Sequence, residues 1–151
     1  MNSPMRLPSL LLAALVFVAA ALAEEPKKIR VLLIDGQNNH DWPATTAWLQ
    51  KFLTASGRFT VDVSTTPPKG ASVRSWEGWQ PKFSAYDVVL SNFNGGHLAN
   101  GTRWPVDVEA AFENYLRRGG GFVSFHAANN SFFQWPAYND IVGLLWRDKS
   151  F

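Results

Sequence analysis

The segment that most restricts the fold is the run 29–34 (IRVLLI), in which Arg30 is the one polar residue. A strand with one face in solvent alternates apolar and polar residues. A run this continuous suits a strand buried on both faces, as in a parallel sheet. Residues 35–41 (DGQNNHD) then form a polar turn, and Pro43 opens a helix at a position where the missing proline N–H is no loss. Thr45, Trp48, Leu49, Phe52 and Leu53 fall on one face of that helix. Gly57 is placed to end it in the left-handed conformation.

The same order recurs downstream. Residues 59–63 (FTVDV) read as a second, partly exposed strand, 86–90 (YDVVL) as a third and 122–125 (FVSF) as a fourth. Pro105 begins another helix, with Val108, Ala111, Phe112, Tyr115 and Leu116 as its apolar stripe and Glu113 with Arg117 as an i,i+4 pair. The triple glycine 119–121 stops it, and a last helical stretch is expected around 138–145. Residues 64–85 have no period. A loop this long is unusual in a compact domain and often functional; the alternative is a surface excursion packed down by Trp76 and Trp79. The alternation predicts an α/β fold with a doubly wound parallel sheet. Four strands and two or three helices are thin for such a domain, and the sequence stops just past an apolar segment. Residues 29–151 are therefore read as the N-terminal portion of a domain that is incomplete at the C-terminus.

Before that domain, Arg6 precedes an unbroken apolar run, 10–22, which ends in Ala21-Leu22-Ala23. A short basic start, a short apolar run and a small-x-small site make a cleavable signal peptide over 1–23, cut after Ala23. The run is shorter than the roughly 20 residues of a spanning helix. Residues 24–28 are a short linker. The expected location is periplasmic or secreted, with no membrane association after cleavage. The chain has no cysteine, which excludes disulfides, thiolate metal sites and a cysteine nucleophile. Of the fourteen basic residues, Arg6 falls in the leader, which leaves thirteen against twelve acidic ones. No Lys/Arg cluster follows a helix face, so nucleic acid is not an expected partner.

In open parallel sheets, ligands bind beyond the carboxyl ends of the strands. All three histidines of the chain lie there: His40 after the first strand, His97 after the third and His126 after the fourth. Imidazole changes charge near neutral pH and also ligates metals. Asn39, Asn94, Asn129 and Asn130 share those turns, and their amides donate to and accept from hydroxyls. The bland alternatives stand beside these readings: a structural histidine at a strand end, or turn residues that only cap and close turns. His40, His97 and His126 are the candidate metal ligands, and a divalent metal is the one cofactor that they would admit, although no pair has the tight spacing of a zinc motif. Neither G-x-S-x-G nor G-x-G-x-x-G occurs, which argues against a serine hydrolase and a dinucleotide site.

Four segments resemble the ThuA-like (trehalose utilisation) family: 31–42 (VLLIDGQNNHDW), 86–95 (YDVVLSNFNG), 115–130 (YLRRGGGFVSFHAANN) and 135–147 (WPAYNDIVGLLWR). The GGG-strand-HAA run followed by W-x-x-Y is the most specific of them. The resemblance implies a flavodoxin-like, class I glutamine amidotransferase-like fold that has lost the amidotransferase cysteine, and a link to carbohydrate metabolism. It also implies pocket roles for His40, His126, Trp135 and Tyr138. The expected activity is hydrolysis or elimination of a modified (keto-) sugar glycoside. His126 and His40 would be catalytic, Asn39, Asn94 and Asn129 would hold hydroxyls, and Trp135 with Tyr138 would wall a sugar ring. The rivals are a non-catalytic sugar-binding or interaction module of the same fold and a metal-dependent hydrolase that uses the three histidines. The expected partner is a small sugar; oligomeric state is not written in the sequence.

Overall fold

The computed structural model describes residues 26–147. The expected signal peptide 1–23 and residues 148–151 lie outside the described residues. Strands β1 (Ile29–Asp35), β2 (Phe59–Thr65), β3 (Val88–Ser91) and β4 (Gly121–Ser124) form one parallel sheet in the order β2-β1-β3-β4. Ile29 to Asp35 run beside Phe59 to Thr65, and Val31 to Ile34 run beside Val88 to Ser91. The chain starts in the middle of the sheet, steps outward to β2, then returns across β1 to β3 and β4. The order thus reverses between β1 and β3, where an open parallel sheet leaves a crevice beyond its carboxyl ends. This is the doubly wound α/β order that the alternation of elements predicts, and it agrees with the flavodoxin-like fold that the resemblance implies.

The helices are α1 (Trp42–Ala55), α2 (Val73–Glu77), α3 (Val106–Arg117) and α4 (Pro136–Val142), with 3-10 turns at Phe83–Ala85 and His126–Asn130. The start of α1 is set by Asp41, whose carboxylate accepts the Ala44 N–H at 3.1 Å, and Gly57 follows its end at φ 71°.

Successive strand residues point to opposite faces, and the core divides accordingly. Val31, Leu33, Val61 and Leu90 pack with Leu49 of α1 on one face. Leu32, Ile34 and Val89 meet a large aromatic cluster on the other, built from Trp79, Phe83, Phe93, Trp104, Phe112, Tyr115, Phe132, Trp135 and Tyr138. The stripe expected on α1 is narrower than its five residues. Thr46 and Leu49 are buried and Leu53 is half-buried, whereas Trp48 and Phe52 are 57% and 61% exposed. Those two rings stack on each other, with centroids 5.1 Å apart and planes 7° apart. A helix lying across two strands buries about a third of its circumference, so the flanking residues shelter only one another. On α3, Val108, Phe112 and Tyr115 are buried as expected, but Ala111 is exposed.

The 64–85 segment is an excursion packed down by tryptophan. The Trp79 indole donates to the Ser64 hydroxyl at 3.0 Å and meets Trp76 edge to face. Glu109, 3% exposed on α3, is matched by Arg103, whose Nε and Nη2 donate to its two oxygens at 2.6 Å each. Arg103 Nη1 also donates to the Gln134 carbonyl at 2.9 Å, so one guanidinium ties the β3–α3 loop to the segment before α4. Among the described residues no helix is long and apolar enough to cross a membrane.

Candidate active site

Three turns meet beyond the carboxyl ends of β1, β3 and β4. The first begins at Gly36, φ 113°, where a Cβ would lie 2.4 Å from Thr66 Oγ1; no larger residue fits between the ends of β1 and β2. Asn38 then shapes the turn from both ends of its amide. Its oxygen accepts the His40 backbone N–H at 3.1 Å, and its nitrogen donates to the Asn92 carbonyl at 2.8 Å. The second turn is fixed to the first. Asn92 donates to the Thr46 hydroxyl at 3.1 Å, and the Asn94 amide nitrogen donates to Asn39 Oδ1 at 3.0 Å while its oxygen accepts from Gly96 N at 2.8 Å.

The third turn carries the most unusual backbone. His126 stands two residues past the end of β4 at φ 48°, in the left-handed region that costs a residue with a Cβ about 1–2 kcal/mol. Such strain persists only where the surroundings impose it, and it concentrates at functional positions. Here the surroundings are specific. Ala127 and Ala128 are buried, and the Ala128 carbonyl accepts the Tyr138 hydroxyl at 2.9 Å. The Ser131 hydroxyl donates to the Phe93 carbonyl at 3.0 Å, and Arg147 donates to the carbonyls of Asn130 and Ser131 at 3.0 and 3.1 Å. Phe132, also left-handed at φ 59°, is held by stacking on Phe93 at 5.5 Å.

The result is a pair of histidines. The rings of His40 and His126 lie 4.6 Å apart with a 42° tilt, and both residues are exposed. Among the described residues no ring nitrogen of either makes a hydrogen bond, so each is open to act as a donor or acceptor toward a ligand. His97 does not join them: it packs edge to face against Trp146, with centroids 4.9 Å apart. The three candidate metal ligands His40, His97 and His126 therefore do not form one cluster in this structure. The described residues hold no group of three or more His, Asp or Glu able to hold a metal ion, because the β3 turn carries His97 away to the Trp146 indole.

The expected sugar contacts divide as well. Asn94 is 6% exposed, with both ends of its amide spent inside the protein. Asn39 is exposed with its amide nitrogen uncommitted, and Asn129 is half-buried with no side-chain partner among the described residues. Trp135 and Tyr138 are 3% and 0% exposed and belong to the aromatic core. Both stand in the core where a sugar wall was expected, and neither presents a face to a ligand in this structure. The Trp135 indole instead donates to Glu113 at 2.9 Å. Two residues of these turns that sequence reasoning gave no role stand out by burial: Asn130, whose buried Oδ1 has no partner, and Asp35, 2% exposed at the end of β1 with Oδ1 unpartnered. Sequence reasoning also gave no role to Trp146, 51% exposed beside His97.

The family model described as ThuA, trehalose utilisation, matches residues 30–150. The chain belongs to the ThuA family. The crystal structure of a ThuA-like protein from Parabacteroides merdae matches with a TM-score of 0.68 and 39% identity over 76% of this chain. This ThuA chain spans 38% of the length of that protein. No curated protein matches it.

Burial of Tyr138 has a measurable consequence for the ThuA turn. Desolvation, opposed by the Ser124 hydrogen bond and the charge of Arg147, pushes its phenol up to about 12 from 10.0. The folded protein holds this proton more tightly than the unfolded chain. Its contribution is therefore full below pH 10 and is lost as pH rises towards 12. Urea unfolding from pH 9 to 12 is expected to fall more steeply in the parent than in Tyr138→Phe, which also loses about 1 kcal/mol at neutral pH with the Ala128 bond. Equal slopes in the two proteins would contradict this account.

Proposed function

We propose that this ThuA chain builds the carboxyl-edge part of a carbohydrate-active site, in which His126 and His40 are the acid–base pair for cleaving a keto-sugar glycoside. The observation that carries the reading is the His40–His126 pair, with rings 4.6 Å apart and one member on a strained backbone just past the end of β4. Membership of a trehalose-utilisation family supports a sugar as the substrate class. A ketone acidifies the C–H on the neighbouring carbon. One imidazole takes that proton as the C–O bond to the leaving sugar breaks and a C=C bond forms. The other imidazolium gives a proton to the departing oxygen. Water then adds across the double bond to complete a net hydrolysis. Such a route needs a base near neutral pH rather than the paired carboxylates of ordinary glycosidases. Asn39 and Asn129, on the same turns and with uncommitted amide groups, would hold hydroxyls. Export to the periplasm or the medium is part of the proposal and rests on the 1–23 leader alone.

The test is to incubate the full-length protein with a plain disaccharide and its 3-keto derivative, with and without chelator. Cleavage of the keto-sugar alone, unchanged by chelator, is the expected result. Loss of activity in chelator, restored by a divalent ion, would replace the histidine-pair mechanism with a metal-dependent one. Saturable sugar binding without product would move the assignment to a binding module.

A further inference from the structure

A second cleft opens at the opposite end of the sheet. It has a volume of about 850 Å³ and lies between the segment 81–87 and the C-terminal turn of α3, beside the amino ends of β1 and β3. Pockets of roughly 300–1,000 Å³ hold small molecules, so the question is which polar groups on its walls remain free.

Several are committed. Arg30 donates to Asp87 through Nη2 at 3.1 Å, through Nε at 3.3 Å and through its backbone N–H at 2.8 Å. These contacts hold the Asp87 carboxyl down to about 2, so it stays ionised and matched to Arg30 at neutral pH. The Tyr86 hydroxyl donates to Asp62 at 3.1 Å, and that of Tyr115 to the Gly121 carbonyl at 2.9 Å. The last carbonyls of α3 accept from the backbone of Arg118, Gly119 and Gly120. Lys82 and Arg118 are different. Both line the cleft, are exposed, and have no ion-pair or side-chain hydrogen-bond partner among the described residues. The Ser84 hydroxyl and the Asn114 amide are likewise uncommitted.

Two unmatched cations lining one cleft repel, and an anion bound there relieves the repulsion. Neutral donors and acceptors at Ser84 and Asn114 suit hydroxyls. We propose that this cleft binds a small hydroxylated anion, a sugar phosphate or sugar acid, with Lys82 and Arg118 on its charged group and Ser84 and Asn114 on its hydroxyls. The site is separate from the histidine pair and does not depend on the function assigned there.

The experiment is calorimetric titration of the full-length protein with glucose 6-phosphate, glucuronate and inorganic phosphate. The comparison is with the double variant Lys82→Glu/Arg118→Glu and, as a control, with His126→Ala. Binding of glucose 6-phosphate or glucuronate is expected, with a loss of about tenfold or more in the charge-reversed variant, the scale of a lost charge-assisted contact. The His126→Ala control should bind as the parent does. Comparing the two sugars separates a phosphate from a carboxylate preference. Circular dichroism spectra of the variants check that these exposed substitutions leave the fold intact. No binding of any of the three, equal binding by the charge-reversed protein, or inorganic phosphate binding as tightly as both sugars would each overturn the proposal.

Discussion

Replacing His126 by glycine is expected to give a protein at least as stable as the parent that turns over the keto-sugar far more slowly. The backbone at His126, φ 48°, is one that glycine adopts freely and a residue with a Cβ adopts only at a cost. His126→Ala keeps the Cβ and therefore the strain. The glycine variant should exceed the alanine variant by about 1 kcal/mol in chemical denaturation, since the left-handed penalty is of that order. Both should lose about 10²- to 10⁴-fold in kcat, the usual contribution of a general acid–base. The combination is diagnostic, because a histidine kept only for structure would not gain stability on removal. Alanine and glycine variants of equal stability would show that no strain is held there. Turnover at the parent rate in either would remove His126 from the mechanism.

Replacing Trp104 by alanine is expected to be among the most damaging single changes to the fold. Its indole is 2% exposed and lies within about 6 Å of the rings of Trp79, Phe83, Phe93, Phe112, Phe132 and Trp135. Deleting it leaves a cavity that these rings cannot all close, at a cost of about 3–5 kcal/mol. Against a net stability of about 5–15 kcal/mol, that leaves the protein marginal. Trp104→Phe should cost roughly less than half as much. It keeps most of the ring contacts and removes an indole N–H that is buried without a partner. Urea midpoints of the two variants against the parent measure both effects. Equal losses would mean that the N–H is satisfied or that the ring contacts carry little.

Much of the architecture was legible from residues alone because it follows from local rules. A continuous apolar run can serve only a strand covered on both faces, so 29–34 announced a parallel sheet, and Asp41, Pro43 and Gly57 bracket α1 as capping chemistry requires. The placement of every histidine at a strand's carboxyl end was equally visible, since it needs only the order of the elements. The direction of a side chain is another matter. Trp48 and Phe52 fit the apolar stripe of α1 by period, yet the position of the helix over β1 and β2 leaves them outside. Trp135 and Tyr138 matched a pocket motif, but the start of α4 carries both into the aromatic core.

The sequence by itself therefore determined the class of fold, the edge of the sheet where chemistry gathers and the residue types available there. Only the tertiary structure decided which of them meet. It brought His40 and His126 together across residues that are 86 positions apart in number and sent His97 to Trp146. It also spent the Asn94 amide inside the turns and left Lys82 and Arg118 unmatched in a cleft at the far end. The physical reason is that strand and helix periods fix which residues share a face. Contacts between turns depend instead on sheet order, on backbone strain at single residues and on competition for hydrogen-bond partners, none of which has a period to read.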